Sequence, residues 1–263
     1  MVQGPETAAR TRRAAGLDVG DVIGRSFRIW LRNLVPFTVI MAIVMVPDLV
    51  WCTVLVGRIG SGWFAPEELN WYLGGSVALS LVLQPVAAGA IVFGVFRQLR
   101  GEPAGMGRCL AAGFGKLLPV MGVAVVSALI VLGGLVLLIV PGIIFSLALF
   151  VAVPAAVVQK MGVMQSIRYS FDLTKGYRGK IFGVLFVINL IERAITFVME
   201  KALLSLDASP ATLVANLRIY LVAMAAVGLV FGAISAVASG LVYYNLRVEK
   251  EGVDQDALAS VFD

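Results

Sequence analysis

Histidine is missing from all 263 residues, and cysteine occurs only twice, at Cys52 and Cys109. The chain therefore lacks the side chain that titrates near neutral pH and the commonest transition-metal ligand. Histidine-dependent hydrolysis goes with it. Two cysteines make no disulfide framework, and the topology below puts them near opposite faces of a membrane. Charge is also scarce: Asp, Glu, Lys and Arg make up 14% of the residues, against 60% apolar ones. A soluble domain of this length needs far more polar surface to cover its core. No Ser-x-x-Lys, Gly-x-Ser-x-Gly or Walker-type run occurs, so no catalytic residue, metal or cofactor is expected.

What remains is hydrophobic. The mean hydropathy is +0.95, and several apolar runs exceed the roughly 18 residues that cross a hydrocarbon layer. Backbone groups in lipid must be satisfied within the segment, so spans of this kind are helices. The expected fold is all-α and polytopic, with six transmembrane helices at about 34–56, 71–96, 117–140, 141–158, 181–203 and 217–246. Pro47-Asp48 is expected to interrupt the first crossing, and Pro141-Gly142 to form the tight turn between the third and fourth. Residues 1–17 read as a polar tail, 18–247 as the membrane domain and 248–263 as a second tail. The first apolar run begins only near Leu34, after a basic stretch, so no cleavable signal peptide is expected.

Between the crossings lie amphipathic segments. Asp18 offers an N-cap to a helix reaching about Asn33. Val22, Ile23, Phe27, Trp30 and Leu34 recur at helical spacing, with Asp21, Arg25, Arg28 and Arg32 on the other side. Such a helix lies either in the headgroup boundary or docked on neighbouring helices. A second candidate covers 106–115. A third covers 162–174, where Val163, Ile167 and Phe171 share a face and Arg168 and Asp172 form an i,i+4 pair. Each candidate precedes two crossings, which suggests three copies of a helix-plus-hairpin unit.

The net charge of +5 has a membrane explanation. With both termini cytoplasmic, 17 of the 21 Lys and Arg fall inside, in groups of six, four, five and two. Arg58, Lys201 and Arg218 lie outside, and Arg193 lies within a span. That asymmetry follows the positive-inside rule. No aromatic-studded basic module is present, so nucleic acid is not an expected partner.

Three sets of residues stand out. Asp48, Glu192 and Arg193 are charges well inside spans; Asp48 lies roughly 21 Å and Arg193 roughly 18 Å from the cytoplasmic ends. Their similar depth permits an Asp48–Arg193 pair, either a structural tie between the first and fifth crossings or a site for an ion, a proton or a polar headgroup. Gly228, Gly232, Ala236 and Gly240 form a row of small residues that lets another backbone approach, from an internal helix or another subunit. Arg25, Arg28, Arg32, Arg168, Lys175 and Arg178 are placed to face anionic headgroups.

The stretch PGIIFSLALFVAVPAAVVQKMGVMQSIRYSFDLTKGYRGKIFGVLF carries a family resemblance through Pro141-Gly142, Pro154, the Ser166-Ile167-Arg168 to Ser170 helix and Thr174-Lys175-Gly176. The ending LVYYNLRVEKEGVD adds Tyr244, Arg247, Glu251 and Gly252, with Asn245 where an acid is usual. It resembles the membrane domain attached to some bacterial glycerophosphoryl diester phosphodiesterases, and related stand-alone inner-membrane proteins. In the fused proteins a separate, histidine-dependent domain performs hydrolysis, so the resemblance implies a non-catalytic module of the bacterial inner membrane. The expected function is to support a partner protein or organise membrane lipid. The alternative is a transporter or lipid-handling protein using Asp48, Glu192 and Arg193. Expected partners are anionic lipids and either a membrane protein or a second copy of the chain.

Overall fold

The computed structural model describes residues 17–61, 68–102, 105–159, 161–203 and 210–252, and every regular element among them is an α-helix. In chain order these are α1 (Val19–Arg32), α2 (Leu34–Gly60), α3 (Glu68–Leu99), α4 (Met106–Gly115), α5 (Leu117–Leu137), α6 (Ile139–Leu149), α7 (Ala152–Gln159), α8 (Val163–Thr174), α9 (Arg178–Leu203) and α10 (Pro210–Glu251). Six stretches are long and apolar enough to cross a membrane: α2, α3, α5, α6 with α7, α9 and α10. The protein is a six-span membrane protein with three additional short helices, α1, α4 and α8. Most of both expected tails lies outside the described residues. Leu17, the last residue of the first, is buried in the core, and α10 continues into the start of the second as far as Glu251.

The expected order of a short helix followed by two crossings occurs three times. The contacts add what order alone does not give. Each short helix docks on the hairpin of the unit before it: α4 on α3 and α2, and α8 on α5, α6 and α7. The first unit's helix, α1, docks on the last hairpin, α9 and α10, so the three units close into a ring. The second crossing of each unit lies inside and packs on the other second crossings; the first crossings lie outside. Burial follows that division. In their most apolar stretches the first crossings α2, α5 and α9 are 22%, 17% and 22% buried, against 53%, 50% and 33% for the second crossings. Three hydrophobic clusters result. One combines α1 with the last hairpin through Val22, Ile188 and Tyr243. Another combines α4 with the first hairpin through Cys109, Phe37 and Ile91. The third combines α8 with the middle hairpin through Ile167, Val123 and Ala152.

α1 begins where expected, with the Asp18 carboxylate accepting from the Asp21 amide at 2.9 Å. The centre of its apolar face is docked on neighbouring helices. Val22 and Ile29 are buried against α9, α10 and α2, with Phe27 and Trp30 packed beside them. Burying an aliphatic side chain of that size is worth about 1.5–3 kcal/mol relative to water, which favours docking whenever helices offer a matching groove.

Two expected boundaries need correction. Pro47 does not interrupt the first crossing; α2 is continuous through it. The turn between the third and fourth crossings falls at Leu138, whose backbone is extended at φ −164°, and not at Pro141-Gly142. Pro141 instead sits in the first turn of α6, where its missing N–H costs no intrahelical bond. Gly142 packs against the preceding helix so closely that a Cβ there would lie 2.9 Å from the Leu135 amide nitrogen.

The fourth crossing is itself broken. α6 ends at Leu149 and α7 starts at Ala152, because Pro154 has no N–H to give the Phe150 carbonyl. The break frees the carbonyl of Ala148. Ser170 donates to it at 2.6 Å and Thr174 at 3.3 Å, both from α8. Hydroxyl groups that re-satisfy backbone at a break are what a bilayer requires.

Candidate functional site

The intramembrane charges do not assemble. Asp48, on α2, accepts a hydrogen bond from the Ser76 hydroxyl of α3 at 2.5 Å. Beside it is a cleft of about 10 Å³ lined by Val44, Met45, Ser80 and Gln84, room for about one water. Glu192 and Arg193 are on α9, which packs on α10, α1 and α6. Among the described residues no ion pair joins either of them to Asp48. The reason is the ring: α2 and α9 are outer spans of different units. Arg193 is exposed on the outer surface, and Glu192 is half-buried beside it.

The small-residue row has an internal partner. A Cβ on Gly228 would meet the Met45 side chain at 2.9 Å, and one on Gly232 would collide with Met41. Gly240 faces Val92 and Val95 of α3, and Ala236 is buried among the same helices. The row lets α10 enter between α2 and α3 at the centre of the ring.

The basic residues divide. Arg28, Arg32, Arg168 and Lys175 are exposed at the end of the bundle where all three short helices lie. Arg25 pairs with Asp21 at 3.4 Å, and the Arg178 guanidinium lies over the Phe171 ring at 5.7 Å. The expected Arg168–Asp172 ion pair does not form; the main chain of Asp172 is used instead, as follows.

A polar network missed by the sequence reading gathers at this basic end. The Gln159 amide, at the end of α7, donates to the Tyr243 hydroxyl at 3.0 Å. The Tyr169 hydroxyl of α8 donates to Glu251, whose other oxygen holds the Arg247 guanidinium at 2.8 Å. The Lys250 ammonium donates to the carbonyls of Asp172 (2.7 Å) and Lys175 (2.8 Å) at the end of α8. In the middle unit the roles are reversed: Lys116, at the end of the short helix α4, donates to the Val157 carbonyl near the end of α7. A cation at these carbonyls also meets the negative end of the helix dipole. Tyr243, Arg247 and Glu251 fall four residues apart, so their helical spacing was the available signal. Tyr243 was expected in the sixth crossing and Glu251 in the tail, yet one continuous helix carries both.

Burial, followed by the bond to Glu251, pushes the Tyr169 phenol above its ordinary value. Burial likewise pushes up the Cys109 thiol, against the lowering effect of Arg97, so Cys109 is held as a neutral core side chain. Cys52 and Cys109 are both free. Among the described residues no group of three His, Cys, Asp or Glu side chains could hold a metal ion. The network can hold helix ends rigidly and present cations; it contains no activated nucleophile. No family model, no curated protein and no solved structure matches this chain.

Proposed function

We propose that the chain is a non-enzymatic module of the bacterial inner membrane, both termini cytoplasmic, that organises anionic lipid beneath a rigid basic face and supports a membrane partner. One observation carries the reading. The three short helices are clamped on the hairpins at one end of the bundle, and the clamped surface leaves Arg28, Arg32, Arg168 and Lys175 exposed together. Fixed cations at headgroup level attract anionic lipid by about 1 kcal/mol each. The excess of Lys and Arg at that end supports its being cytoplasmic, and the family resemblance implies the same membrane and the same lack of catalysis. The transporter alternative needs Asp48 and Arg193 in one site. They lie on different units, and the cleft at Asp48 has room for about one water.

The test is native mass spectrometry of the protein taken from its own membranes into lipid particles. Retained anionic lipid is expected, and it should be lost when Arg28, Arg32, Arg168 and Lys175 are all changed to Gln. Equal retention of zwitterionic lipid by both forms refutes the reading. So does a stoichiometric polar metabolite that disappears in Asp48→Asn.

A further inference from the structure

α9 carries charge where lipid should touch it. From Lys180 to Lys201 the helix rises about 31 Å, which matches a hydrocarbon layer of about 30 Å. Arg193 then lies about 20 Å from one surface and about 12 Å from the other. Its Cα–Cβ bond tilts toward the helix N-terminus, away from the nearer surface. Asn189 lies one turn earlier, and both side chains are exposed. Polar residues at such depth almost always face protein or a watery cavity, and within one subunit these face neither.

α9 is exposed on most sides along its second half, and one line on that surface joins its polar groups to two stacked rings. Phe182, Phe186, Asn189 and Arg193 follow at steps of four, three and four, and Glu200 continues the line seven residues on. Phe182 and Phe186 are 46% and 53% exposed and stack on each other at 5.8 Å. Thr196, between Arg193 and Glu200, is turned inward, its hydroxyl donating to the Arg193 carbonyl at 3.1 Å. Alternating steps of three and four are the spacing of a helix–helix seam.

We propose that α9 is the seam of a parallel two-fold homodimer, closed by reciprocal Glu192–Arg193 pairs between the copies. In a parallel seam each knob enters a hole of four residues on the facing helix. With Arg193 as the knob, that hole includes the position just before the facing Arg193, which is the partner's Glu192. The two-fold repeats the contact, so each guanidinium meets a carboxylate and the interface complements itself. Asn189 supports the same seam. Its amide already donates to the Leu185 carbonyl at 2.8 Å, which leaves its side-chain oxygen for the other copy. Charges of both signs on adjacent residues at one depth suit a second copy better than a lipid, which brings no charge to that depth.

Cysteine cross-linking in native membranes tests this, in a background carrying Cys52→Ala and Cys109→Ala. Phe186→Cys and Asn189→Cys should give dimers under oxidation, severalfold more than Ile191→Cys and Val198→Cys on the opposite side of the helix. These variants keep both charges. In lipid particles, Glu192→Arg or Arg193→Glu alone should weaken the dimer about tenfold, the size of one membrane helix contact, and the double exchange should restore it. A monomer in native membranes overturns the proposal, as does equal cross-linking on both sides or a cross-link to a different polypeptide. Failure of the double exchange to rescue the single ones overturns the pairing.

Discussion

The Ser170 hydroxyl donates to the main-chain carbonyl of Ala148 at 2.6 Å, joining a short surface helix to the break in a membrane span. Both groups are buried, so losing the donor leaves a carbonyl without solvent to replace it. Ser170→Ala should destabilise the protein by about 1–2 kcal/mol. In detergent that lowers the melting temperature by a few degrees. Thr174 is a second, longer donor at 3.3 Å, so the double change Ser170→Ala with Thr174→Val should cost clearly more than either alone. Additive, near-zero effects would show that the break needs no donor from α8.

Two glycines that look alike in sequence should behave differently. At Gly232 an added methyl meets the terminal methyl of Met41, the free end of a flexible side chain. At Gly142 it meets the Leu135 backbone nitrogen at 2.9 Å. Met41 can rotate away; the backbone cannot. Gly232→Ala should therefore cost less than about 1 kcal/mol, whereas Gly142→Ala should cost about 1–3 kcal/mol through overpacking of the hairpin. Gly232→Leu should join the severe class, because α10 would have to move away from α2. Thermal unfolding of the three variants side by side decides it.

The contrast between these glycines also marks where the sequence was legible. Hydropathy located all six crossings, because a span is apolar on every side and its length is set by the bilayer. Amphipathic spacing located α1, α4 and α8, and α4 falls on the expected residues. The four-residue row of small side chains in α10 was readable as a packing surface, since nothing else requires it. Its partners were not readable, because Met41, Met45, Val92 and Val95 come from helices brought together only by closure of the ring. The same limit explains the expected Asp48–Arg193 pair. Depth along a helix follows from counting residues, but which spans are neighbours does not. The docking of α1 on the last hairpin is a contact between the two ends of the sequence, and no local pattern announces it.

Lys250 closes the end of α8 by donating to two of its last carbonyls, and the chain then turns through Gly176, whose φ of +90° suits only a residue without a Cβ. Lys250→Met keeps the length of the side chain and removes the donor. The turn at 175–178 should then open more often. Limited trypsin digestion should cleave after Lys175 or Arg178 several times faster than in the parent protein, with little change in melting temperature. Unchanged cleavage would mean that Gly176 and the docking of α8 hold the turn without the lysine.

Tyr169 supplies a pH signature for the same network. Its phenol is shifted above the usual 10.0 by burial and by the bond to Glu251. A group whose folded value is raised stabilises the fold fully below its unfolded value, and loses that contribution progressively as pH rises from the unfolded value through the folded one. The Tyr169–Glu251 bond should therefore contribute equally at pH 7 and pH 9 and weaken only in more alkaline solution. Tyr169→Phe should lower the melting temperature by the same few degrees across the neutral range, the size of one hydrogen bond to a charged group, about 1.5–3 kcal/mol. The deficit should shrink as the parent protein is taken above the ordinary tyrosine range. Phenolate absorbance gives a second reading: subtracting the Tyr169→Phe titration from the parent's should leave no signal near pH 10. A phenolate that appears there would place Tyr169 in water, and the C-terminal end of α10 would then be free of α8.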